Sequence, residues 1–172
     1  SSIIISGDAN ISTDGTGIHA GARSTITIGG GGTIRTEKHK NISHFALNAE
    51  EGIINMNAKL NQAGEMIGAG NRTTKVYGNI GIIDREESAN ISGSRPTVIN
   101  LGLTTSDSVL HGVVLDDFKE HNKNEPDKKD IRERTGLSMY LQNGASWHNE
   151  VWGIMVPSEP WRGVSHSFTG SK

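Results

Sequence analysis

Leu137, Met139 and Leu141 alternate with Ser138, Tyr140 and Gln142, Asn143-Gly144 follows at once, and Ala145 and Trp147 then resume the alternation. A period of two marks a strand with one buried face, and Asn-Gly is the dipeptide best suited to a tight corner, because both residues accept positive φ. Residues 136–150 therefore read as strand, corner, strand. Weaker copies of the unit recur along the chain, and this recurrence constrains the fold more than any other feature.

In order, short β-branched or apolar runs occur at Ile3-Ile4-Ile5, Ile18, Thr25-Ile26-Thr27-Ile28, Thr33-Ile34, Phe45-Ala46-Leu47, Ile53-Ile54, Val76-Tyr77, Ile80-Gly81-Ile82-Ile83, Val98-Ile99, Val109-Leu110 and Val113-Val114-Leu115. Bends rich in Gly, Asn and Ser separate them, among them Ser6-Gly7-Asp8, Gly21-Ala22-Arg23, the run of glycines at 29–32, 48–52 and His111-Gly112. Residues 58–74 carry a weaker signal, with Leu60, Met66 and Ile67 as their apolar points. Glycine accounts for 22 of the 172 residues and aromatics for only 5%, so this is turn-rich material without large core side chains. No amphipathic helix is visible.

Strands of three to six residues spaced by about ten leave a sandwich, a barrel or a β-solenoid. Three features favour the solenoid: corners rather than hairpins between strands, small β-branched apolar positions, and Asn and Ser at the bends, where they can bond to backbone along a stack. The expected fold class is all-β, a right-handed parallel β-helix with irregular coils of roughly twenty to twenty-five residues, on the order of seven in all. Residues 1–172 are expected to form a single β-helix fragment, internal to a longer chain whose targeting signals lie elsewhere.

A charged segment at 116–135 interrupts this pattern. Seven acids, including Asp116, Asp117 and Glu120, mix with six bases, and only Phe118 and Ile131 are large and apolar, so the segment is expected to be an inserted loop rather than a core coil. A solvated loop with a short helix after Pro126 is the plainer reading. A contact site is the sharper one, because insertions in repeat folds gather on one face.

At residues 136–150 the sequence resembles the C-terminal part of an autotransporter (type V secretion) passenger domain. Units of the form L-x-N-G-A-x-W close a right-handed parallel β-helix in that family, and Leu141, Asn143, Gly144, Ala145 and Trp147 match them. The sharp match covers about fifteen residues. The resemblance implies display at the cell surface, anchored through the outer membrane, and a role in adhesion or as a stalk. It implies as partners a surface protein or glycan of a host or neighbouring cell and the chain's own C-terminal membrane barrel. The chain contains no cysteine, which excludes disulfides, thiolate metal sites and a cysteine nucleophile, and which fits passage across a membrane in a loosely folded state.

No catalytic residue, cofactor site or metal site is expected. Asp116-Asp117 near His111-Gly112 superficially matches pieces of polygalacturonases, yet the order is reversed and the spacing too short, so a carbohydrate-active β-helix enzyme is the alternative reading. Ser92-Gly93-Ser94 lacks the acidic neighbour of a serine-protease nucleophile. His19, His39, His44, His111, His121, His148 and His166 form no ligand pair by spacing and are expected at exposed positions. The glycines at 29–32 lack the following Lys and helix of a phosphate loop and read as a flexible corner.

Nucleic acid is not expected as a partner: the net charge is −2, and Lys38-His39-Lys40 and the stretch from Arg72 to Lys75 are basic spots without interleaved aromatics. Trp147 is expected to pack between coils or cap them. Trp152 and Trp161 are either similar caps or exposed sugar-stacking rings.

Overall fold

A computed structural model describes residues 1–38, 44–84, 96–118, 135–153 and 167–170. The described residues contain strands and turns and no helix, and apart from one hairpin every strand pair is parallel. The first circuit of the chain runs through β1 (Ser2–Ile5), β2 (Ile11–Thr13) and β3 (Ile18–Gly21). The second runs through β4 (Thr25–Ile28), β5 (Gly32–Thr36) and β6 (Phe45–Glu50). β7 (Ile53–Met56) is followed by the hairpin of β8 (Ala58–Leu60) and β9 (Met66–Ala69), and then by β10 (Thr74–Tyr77) and β11 (Asn79–Asp84). β12 (Val98–Leu103), β13 (Val109–His111) and β14 (Val114–Phe118) form the next circuit, and β15 (Gly136–Leu141), β16 (Ser146–His148) and β17 (Ser167–Gly170) follow.

Three sheets result. The first has the order β1-β4-β7-β12-β15-β17, the second β16-β13-β10-β5-β2, and the third β14-β11-β6-β3. In each of the first four circuits the chain visits them in that order, so an inner strand finds its ladder partners one circuit before and one circuit after it. Neighbouring circuits lie about 4.8 Å apart, which brings residues far apart in sequence into register columns.

Those columns explain the small apolar composition. Ile3, Ile26, Ile54, Ile99 and Leu137 share one column of the first sheet, and Ile5, Ile28, Met56, Leu101 and Met139 share another. Ile11, Ile34, Val76, Leu110 and Trp147 form a column of the second sheet, and Ile18, Leu47, Ile80 and Val114 one of the third. From the second circuit onward these side chains are buried in one core shared by all three sheets, except Ile26 and Trp147, which are partly buried and pack against it. Like sits on like because β-branched and linear aliphatic side chains of similar volume pack at a single repeat distance without leaving voids.

Glycines fit where the corners must touch. A Cβ on Gly112 would strike the carbonyl of Gly78 one circuit below, and Gly112 N–H donates instead to the His148 carbonyl at 3.1 Å. In the corner expected to be flexible at 29–32, a Cβ on Gly30 would meet Asp8, one on Gly31 would meet Thr73 and one on Gly32 would meet Ala9. The run of glycines is thus a packed wedge between the circuits below and above it, and Gly31 N–H donates to Asp8 Oδ1 at 2.9 Å while Gly32 N–H donates to the Thr73 carbonyl at 2.9 Å. Its flexibility as a sequence is spent on close approach.

Three further expectations need correction. The circuits after the first are longer than expected: the first-sheet register partners Ile26, Ile54 and Ile99 are separated by more than twenty-five residues. Residues 58–69 form an antiparallel hairpin, so corners do not make every connection and the charged segment is not the sole excursion. The charged segment also starts later than 116, because β14 continues through Asp116, Asp117 and Phe118, with Asp116 opposite Ile82 and Asp117 opposite Ile83. Residues 119–134 lie outside the described residues.

The hairpin is locked to the first sheet through Asn57. Its φ of 50° turns the chain out of β7, and its fully buried amide donates to the carbonyls of Arg72 and Gly102, each at 3.0 Å. Asn tolerates this conformation better than any other residue with a Cβ, and its side chain closes the gap the excursion opens.

Candidate functional site

The outward positions of the second sheet line up as Ser12, Arg35, Tyr77, His111 and His148, one residue per circuit. Strand alternation dictates this: Ile11, Ile34, Val76, Leu110 and Trp147 turn into the core, so the residue after each turns out. What the sequence scatters over 137 positions, the fold gathers into a ladder of rings and cations.

Within the ladder the Arg35 guanidinium lies 3.9 Å from the centre of the Tyr77 ring. The His111 and His148 rings stack with centroids 5.3 Å apart and planes 29° apart. Trp152 lies across the middle, edge-on to His111 at 5.0 Å and tilted against Tyr77 at 6.0 Å, and Lys38 Nζ sits 4.6 Å from its ring. Glu150 Oε2 faces His111 Nε2 at 3.6 Å. Two cations resting on aromatic faces and a buried indole between them make this the densest aromatic and cationic cluster among the described residues.

Trp152 is fixed there by backbone as well as by its ring. Asn79, fully buried at the start of β11, accepts the Trp152 N–H at 2.9 Å and donates its amide to the Trp152 carbonyl at 2.9 Å. The indole Nε1–H donates to the Thr36 carbonyl at 2.8 Å. Residues 149–153 therefore run back from the fifth circuit across the fourth and third to the second, as a strap over the edge of the second sheet. Trp152 is only 8% exposed, so its ring is a clamp and presents no free face for a sugar.

Several expected positions resolve differently. Trp147 does pack against the core, closing the inward column of the second sheet, and its Nε1–H donates to the Gly112 carbonyl at 3.0 Å. Sequence spacing does not reveal that His111 and His148, 37 residues apart, are one-circuit neighbours whose rings stack. Nor are all the histidines exposed: His111 is half-buried, its side chain 28% exposed. The basic spots also differ from expectation. Lys38 does have an aromatic beside it, and Arg72 is no free cation: its Nη2 meets Asp8 Oδ2 at 2.7 Å and its Nε meets Asp8 Oδ1 at 3.1 Å. His19 Nδ1 pairs with Asn48 Nδ2 at 3.1 Å. His39, Lys40, His121, Trp161, His166 and Ser92-Gly93-Ser94 lie outside the described residues.

Asp116 shares the inward column of Ala20, Ala49 and Ile82, and Asp117 the opposite phase. Among the described residues no group of three or more His, Cys, Asp or Glu side chains is placed to hold a metal ion.

The hydrogen bond from Arg72, then that from Gly31 N–H, hold the Asp8 carboxyl below the ordinary carboxylate range, and Arg72 is raised in return. Asp8 ties the first circuit to the base of the hairpin excursion.

No protein-family model matches the chain, and neither a curated protein nor a solved structure matches it.

Proposed function

We propose that this chain is a right-handed parallel β-helix from the passenger region of an autotransporter, displayed at the cell surface as an adhesin or a stalk. The observation that carries the reading is the strand order: the chain returns to the same sheet after passing through the other two, circuit after circuit. Each return is a crossover between parallel strands of one sheet, and such crossovers are right-handed in the great majority of proteins. A stack of this kind is a rigid rod, in which backbone ladders along the axis give length and surface columns give contact.

The family part of the reading rests on residues 141–147. Asn143 and Gly144 have φ of 55° and 82°, the Asn143 amide donates to the Thr104 carbonyl at 3.0 Å one circuit below, and Trp147 ends an inward column. A late circuit whose corner is bonded downward and whose core is closed by an indole is what a rod needs where its core would otherwise open to water. In this reading the work is display and attachment rather than chemistry.

Labelling of intact cells that express the full-length gene product tests it. An antibody raised against residues 1–172 should bind unpermeabilised cells, and external protease should remove the signal. Labelling that requires permeabilisation would rule the reading out.

A further inference from the structure

We infer that the outward column of the second sheet binds a linear acidic polysaccharide lying along the stack, through Arg35, Lys38 and His148. The inference rests on the display reading for the setting in which such a chain is met, and on the geometry for the binding itself.

Charge is the first argument. Arg35, Lys38 and Lys75 carry no ion pair among the described residues, and the acid drawn into the cluster, Glu150, faces His111 instead. Arg35, Lys38 and His148 are exposed. In a chain of net charge −2, Arg35, Lys38 and Lys75 are a local concentration of cations that composition does not require.

Preorganisation is the second. A guanidinium held over the Tyr77 ring and an ammonium over the Trp152 ring have already lost much of the rotamer freedom that long side chains forfeit on binding. A guanidinium has five N–H groups in a planar fork, so one held over a ring can still meet a carboxylate or sulfate in a bidentate fashion.

Period decides the class of ligand. Arg35 and His148 stand three rungs apart, about 14 Å at one rung per 4.8 Å, with the Trp152 strap over the rungs between them, so a chain of acidic sugars laid along the axis, with about one ring unit per rung, brings an anionic group to each end. An extended acidic peptide turns every second side chain to its opposite face, so half of its acidic groups point away from the column. Single-stranded nucleic acid needs exposed rings for its bases, and here the central indole is buried.

The test is titration calorimetry on the 172-residue chain with a defined oligogalacturonate, its fully methyl-esterified neutral form, heparin, anionic phospholipid vesicles and single-stranded DNA. Oligogalacturonate or heparin should bind with an affinity that falls as salt rises, the first isolating carboxylate recognition and the second sulfate. The neutral ester should not bind. Arg35→Gln should weaken binding about tenfold, the scale of one lost charge-assisted contact. Lys38→Gln and His148→Gln should weaken it several-fold, while Lys59→Gln, an exposed cation on the hairpin, should leave it unchanged.

Silence with both acidic glycans would overturn the inference, as would equal binding of the neutral ester, equal loss in Lys59→Gln, or tighter binding of vesicles or DNA. Circular dichroism of each variant separates a lost contact from a lost fold. Because the assay uses purified protein, its failure leaves the cell-labelling result untouched, and a failure of labelling leaves this result untouched.

Discussion

Asn79 holds both the N–H and the carbonyl of Trp152, at 2.9 Å each, across 73 residues of sequence. The same Oδ1 also accepts Val113 N–H at 3.2 Å, so one buried amide joins β11, the corner before β14 and the strap. Replacing it by Ala leaves three backbone groups without partners in a dry site. Asn79→Ala should cost about 3 kcal/mol in urea unfolding, since each buried unpaired group is worth about 1–3 kcal/mol. Asn79→Asp should also destabilise, because a carboxylate cannot donate to the Trp152 carbonyl.

Trp152 separates the strap's ring from its hydrogen bond. Trp152→Phe keeps most of the apolar contact with Tyr77 and His111 and removes the bond to Thr36, for a loss of about 1 kcal/mol. Trp152→Ala should lose about 3 kcal/mol or more. Equal losses in the two variants, measured by the same unfolding curves, would show that the hydrogen bond and not the ring holds the strap.

Corner contact makes glycine replacements a sharp probe. Gly7 has open space around an added Cβ, so Gly7→Ala should be neutral. Gly112→Ala places a methyl against the Gly78 carbonyl and should lower the melting temperature strongly. At Gly144, φ is 82° and the nearest atom to an added Cβ is Ser106 Cβ at 3.7 Å, so Gly144→Ala carries the backbone penalty alone, about 1 kcal/mol. The order of the three is the prediction.

Acid should loosen the first circuit. The Asp8 carboxyl is depressed by Arg72 and by Gly31 N–H, so its contribution is present above the unfolded carboxylate value and is lost as pH falls through the lower folded value. Asp8→Asn should therefore melt earlier than the parent at neutral pH, with the gap narrowing as the solution is acidified below the ordinary carboxylate range. A gap that stays constant with pH would show that the ion pair contributes nothing.

How much of this was legible in the sequence depends on whether the information was local. Residues 136–148 announced themselves, because alternation and an Asn-Gly corner are properties of neighbours, and Leu137, Met139 and Trp147 face the core as read. The hinge at His111-Gly112 was legible for the same reason. The hairpin at 58–69 was not: Ala58, Lys59 and Leu60 alternate too weakly, and what holds the excursion is the buried Asn57 amide reaching Gly102, 45 residues on.

The ladder was invisible for a related reason. Arg35, Tyr77, His111 and His148 become neighbours only through register, and circuits of unequal length conceal any constant period. A search for the inward apolar column, taking the residue that follows each member, would have found them. The wedge at residues 29–32 misled because a run of glycines signals both mobility and close approach, and only Asp8 and Thr73 on either side decide between them.

The central claim is that successive circuits stack in register, so that residues scattered along the chain form one straight column. Because the chain has no cysteine, spin labels can be placed at will: Ser12→Cys and His148→Cys, each labelled and measured by pulsed electron-electron resonance, sample the two ends of that column across four rungs. A single narrow distribution is expected, near the backbone separation of about 19 Å broadened by the label arms. A broad distribution, or one centred well beyond the reach of the labels from that separation, would contradict the stacked arrangement and everything built on it.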